Sequence, residues 1–101
     1  MTNRTWLGRA FCTVNPERAE YQQGHRGAIL VFACSADTPR DCVSLITTEL
    51  SENGLTLRGF EYMMDSDYID RNLSEYEESL VAELKTYPVQ FRNVHFFAPD
   101  S

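Results

Sequence analysis

Seven consecutive apolar residues, Ala28-Ile29-Leu30-Val31-Phe32-Ala33-Cys34, constrain the fold of this chain more than any other feature. A short run without polar alternation reads as a strand covered on both faces or sitting centrally in a sheet. The segment after it has clear helical grammar. Thr38 is placed to cap, Pro39 suits the first helical position, and Asp41 lies three residues after the cap. Cys42, Val43, Leu45, Ile46 and Leu50 then fall on one stripe at helical spacing, and Asn53-Gly54 supplies a left-handed stop.

The remaining elements fall around this pair. Thr5 to Val14 mixes β-branched and aromatic residues and predicts a first strand, ended by Pro16. Glu17 to Arg26 is a polar connection with room for a helical turn over Glu17 to Gln22, and Gly27 to Ser35 is the second strand. Leu55 to Met63 predicts a third strand, with a bulge or bend at Gly59 where the apolar parity changes. Ser74 and Glu77 form a capping-box pair ahead of a second helix, whose apolar side is Leu73, Tyr76, Leu80, Leu84 and Tyr87. Pro88 stops it, and Val89 to Phe97 is the last strand.

The order β-β-α-β-α-β predicts one α+β two-layer sandwich domain spanning residues 1–101, with a four-stranded mixed sheet. Two right-handed crossovers would place both helices on one face. A ferredoxin-like arrangement is the alternative, and it requires an extra short strand between Gly59 and the second helix. Either arrangement leaves one sheet face bare. Trp6, Phe11, Phe60, Tyr62, Phe91, Phe96 and Phe97 exceed what one helix-facing layer absorbs, so the bare face is expected to self-associate.

Charge is unevenly spread. The formal net charge is −6, yet Glu61 to Glu83 holds eight acids (Glu61, Asp65, Asp67, Asp70, Glu75, Glu77, Glu78, Glu83) against Arg71 alone. That segment carries −7 and the rest of the chain +1. Such a field repels nucleic acid and anionic membrane and steers a basic partner. Glu61, Asp65, Asp67, Asp70, Glu75, Glu77 and Glu78 are therefore the expected partner-binding residues. The implied function is a small acidic interaction module, analogous to inhibitor and immunity proteins that bind basic targets. The alternative is a homodimeric ligand-binding module with a pocket near the 17–27 loop, lined by Tyr21, Gln22, His25 and Arg26.

The sequence nominates no chemistry. Asp65 to Asp70 resembles a calcium loop superficially, but Asp70 stands where the sixth-position glycine belongs and Tyr76 where the closing glutamate belongs. Cys12, Cys34 and Cys42 form no CxxC or Cys/His ligand spacing and read as small core hydrophobes of a reducing compartment. His25 and His95 have no carboxylate at metal or triad spacing, and there is no GxSxG, phosphate loop or HExxH. No catalytic residue, metal or cofactor is implied. No apolar stretch approaches the roughly 20 residues a membrane span needs. Met1 to Trp6 lacks the apolar core of a secretory signal, so the expected location is cytoplasmic.

Overall fold

The computed structural model describes residues 3–98. Its elements are β1 (Arg4–Val14), the one-turn α1 (Ala19–Gln22), β2 (Gly27–Ala36), α2 (Pro39–Glu52), β3 (Leu55–Asp65), a 3-10 turn (Ser66–Tyr68), α3 (Glu75–Glu83), β4 (Val89–Phe91) and β5 (His95–Phe97). The fold is α+β, with five strands rather than four. Every pairing is antiparallel, so the sheet is not mixed. The order is β3-β1-β2-β4, and β5 shares the β4 edge of β2. Residues 92–94 interrupt the last strand, with Asn93 in the left-handed region at φ 53°. Among the described residues no extra strand precedes α3, so the ferredoxin-like alternative does not form.

The two longer helices lie on opposite faces, not on one. Side chains alternate across a strand, and the even positions of β1 and β2 (Trp6, Ala10, Cys12, Leu30, Phe32, Cys34) pack with Cys42, Ile46 and Leu50 of α2. The odd positions Leu7, Val31 and Ala33 pack with Leu80 of α3. Two reasons account for the difference. β2 and β3 run in the same direction but are separated by β1, while β3 and β4 run oppositely, so the handedness rule for parallel neighbours does not place α3. The apolar run of β2 also presents hydrocarbon on both faces, and each face needs a cover.

Local signals position these layers. Thr38 Oγ1 accepts from Asp41 N at 3.1 Å, closing the start of α2 over Pro39. The Trp6 indole, on the same face, donates to Ala36 O at 2.9 Å, so its buried N–H is satisfied. Gly8 lies opposite Phe32, whose ring occupies the space a Cβ would need. β3 carries two register shifts, with Arg58 and Glu61 as the unpaired residues on either side of the Gly59–Phe60 step. Bulges of this kind twist a long edge strand away from self-pairing. The second helix is shorter than its apolar spacing predicts: α3 ends at Glu83, and Tyr87 lies beyond it, 48% exposed.

Candidate functional site

The acidic segment divides into carboxylates that build the fold and carboxylates that face outward. Asp65 is 5% exposed. It accepts from Asp67 N at 2.9 Å, capping the 3-10 turn, and from Arg4 Nη1 at 3.0 Å. Glu77 is equally buried. Its Oε1 accepts from Arg71 Nη1 at 2.7 Å and from Ser74 N at 2.9 Å, and its Oε2 from Arg71 Nη2 at 2.8 Å. The Arg71 fork, assisted by the Ser74 backbone and outweighing burial, holds the Glu77 carboxyl down at about 2. Glu61 pairs with Arg9 across the strands at 3.0 Å. These three of the seven nominated acids have internal duties.

Asp67, Asp70, Glu75 and Glu78 are exposed, and among the described residues none has an ion-pair partner. They occupy one stretch of chain from the 3-10 turn to the first turn of α3, where negative charge also suits the helix dipole. Tyr68, within this stretch, is 73% exposed. A bare phenol ring among unpaired carboxylates was not singled out in the sequence, because Tyr68 there looks like any residue of a polar connection.

The 17–27 loop is filled by its own side chains. The Arg26 guanidinium lies 3.7 Å from the Tyr21 ring centroid and donates to Tyr21 O at 2.8 Å. His25 stacks on Phe96, and the Arg18 guanidinium also lies over that ring, 5.1 Å from its centroid, while reaching Glu20 and the Asn53 carbonyl. Gln22 turns outward. Tyr21, His25 and Arg26 are thus engaged in packing while Gln22 is not, and none of the four lines the hollows described below.

One hollow of about 500 Å³ adjoins the acidic turn, between Arg4 and Asp65, Asp67 and Tyr68, and two lie over the sheet. On the α3 side of the sheet, beyond the Leu7–Ala33–Leu80 contact, a concavity of about 440 Å³ is lined by Arg9, Ile29, Val31, Tyr76, Asn93 and His95. A second, of about 450 Å³, shares Ile29 and runs past Phe11 to Arg58 and Gly59. The face expected to be bare is therefore half covered, and Phe11 stands in its open half, 45% exposed, edge-on to Phe97. No sequence pattern joins these positions, which come from β1, β2, β3, α3, β5 and the 92–94 loop.

Cys12, Cys34 and Cys42 are free and buried. Burial pushes the Cys12 thiol up to about 11. Contact with Cys42, then burial, pushes Cys34 up as well. Among the described residues no group of three or more His, Cys, Asp or Glu is placed to hold a metal ion, and no helix is long and apolar enough to cross a membrane. In comparisons with known proteins, no family model, no curated protein and no solved structure matches this chain.

Proposed function

We propose that this chain is a protein-interaction module that receives a basic partner on Asp67, Tyr68, Asp70, Glu75 and Glu78. The observation that carries the reading is a run of four exposed carboxylates, none ion-paired among the described residues, on the same stretch of chain as a phenol ring that is 73% exposed. Like charges held together repel, and a cationic partner surface relieves that repulsion while its approach is accelerated by the field. Tyrosine supplies a rigid amphipathic contact of the type that dominates protein interfaces. Asp65 and Glu77 support the surface from within, and the exposed Glu61 is engaged by Arg9. A reducing, cytoplasmic compartment accords with three unpaired thiols.

The test is capture from the source cell's lysate with the wild-type chain and with a variant carrying Asp67→Lys, Asp70→Lys, Glu75→Lys and Glu78→Lys. A basic protein retained by the wild type, released by salt and lost by the folded variant is the expected result. Equal retention by both chains refutes the reading.

A further inference from the structure

The concavity on the open half of the α3-side face has a distinct chemical character in this acidic chain. Its floor is Ile29 and Val31, aliphatic positions of β2. Its wall is the Tyr76 ring, which is preformed because the hydroxyl accepts from Arg92 N at 3.0 Å and donates to Arg92 O. Besides the Tyr76 hydroxyl, its polar side chains are Arg9, Asn93 and His95, and among the described residues no carboxylate lines it. Arg9 gives Nη1 to Glu61, and among the described residues its Nη2 and Nε have no hydrogen-bond partner. A volume of about 440 Å³ falls in the range of small-molecule sites, which are mostly apolar with a few convergent polar groups.

We propose that this hollow binds a small organic anion with an apolar body, an alkyl or aryl carboxylate whose head group meets Arg9 while its body lies on Ile29 and Val31 against Tyr76. Charge complementarity selects this occupant. A guanidinium with two N–H groups left to donate favours an anion, and the carboxylate beside it, Glu61, is already engaged by Arg9 and lines the adjoining hollow instead of this one. The site is separate from the acidic surface, and either proposal stands if the other fails.

The experiment is titration of the protein with decanoate, read by calorimetry and by backbone amide shifts, with decyltrimethylammonium as the cationic counterpart. Decanoate is expected to saturate one site with shifts at Ile29, Val31 and His95. Arg9→Gln removes the charge-assisted contact and weakens binding about tenfold. Glu61→Gln, which frees the guanidinium from its competitor, tightens binding several-fold. Both substitutions break only an exposed ion pair, so both variants fold. Equal binding of the cationic counterpart, no saturation at millimolar decanoate, or affinity unchanged in both variants overturns the proposal. So does a dimer in sedimentation that buries Phe11 and His95 and excludes the probe.

Discussion

Replacing Glu77 by glutamine separates the structural carboxylates from the exposed ones, and its effect has a definite pH signature. Glu77 occupies the third position of α3, where its oxygens take three hydrogen bonds from Arg71 and Ser74. Its carboxyl is lowered from 4.5 to about 2, chiefly by the Arg71 fork. At about 1.36 kcal/mol per pH unit this linkage amounts to about 3 kcal/mol. Arg71 is half exposed, and solvent screening on its side reduces the figure to about 1–2 kcal/mol. A depressed folded-state pKa means that the stabilisation is complete above pH 4.5 and is lost as pH falls through about 2. Glutamine keeps an acceptor for the Ser74 amide but removes the charge. Urea unfolding of Glu77→Gln should therefore show a loss of about 1–2 kcal/mol at pH 7, falling to about half or less by pH 3. An equal loss at both pH values refutes the reasoning, because it assigns the role of Glu77 to neutral packing.

Two glycines of the sheet, Gly8 on the central β1 and Gly59 on the edge strand β3, should respond in opposite directions. A Cβ at Gly8 would stand 2.5 Å from Tyr62 O and 2.7 Å from the Phe32 ring, so Gly8→Ala should cost about 2–4 kcal/mol by forcing strands apart. A Cβ at Gly59 meets nothing within 4 Å, so Gly59→Ala should add about 0.5 kcal/mol by restricting the unfolded chain. Thermal denaturation reads both, and a pair of variants shifted in the same direction contradicts the packing described. The three thiols should be inert to an aromatic disulfide reagent in the native protein and react after unfolding, because all are buried and Cys12 and Cys34 are held protonated. A thiol labelled within seconds in native buffer would show that the core opens around it.

What could be read from the sequence was local. Thr38, Pro39 and Asp41 announce α2, and Ser74 with Glu77 announces α3, because capping chemistry is completed within a few residues of chain. Strand neighbours are not local. The antiparallel order places β1 between β2 and β3, a choice made by residues 14 to 59 positions apart. The same limit explains the acidic segment. Asp65 and Asp67 look alike in sequence, yet Arg4, at the other end of the sheet, withdraws only Asp65 from solvent. Glu77 was legible in principle. A capping-box glutamate six residues from the single base of its segment has two partners waiting, and both bind it.

The two candidate surfaces have one physical origin, the shortness of α3. Its nine residues span about 14 Å at 1.5 Å per residue, whereas the ten residues of β2 extend about 33 Å. Even laid along the strand, α3 covers less than half of that face, so the sheet beyond Tyr76 is left as a hollow. The opposite face is closed because the fourteen residues of α2 are supplemented by Tyr21 of α1 and by Phe91 and Phe96 of the last two strands. α3 is short because its first turn is given to Glu75, Glu77 and Glu78 and its apolar side is reduced to a few contacts around Leu80. The Arg71–Glu77 fork ties the preceding connection to the first turn of this helix, and the helix holds to the sheet through the contacts of Leu80 with Leu7 and Ala33. Its acids then point outward at one end, and its tyrosine walls the hollow at the other side of the same turn. Extending the apolar side of α3 would therefore be expected to close the hollow and to dilute the acidic surface together.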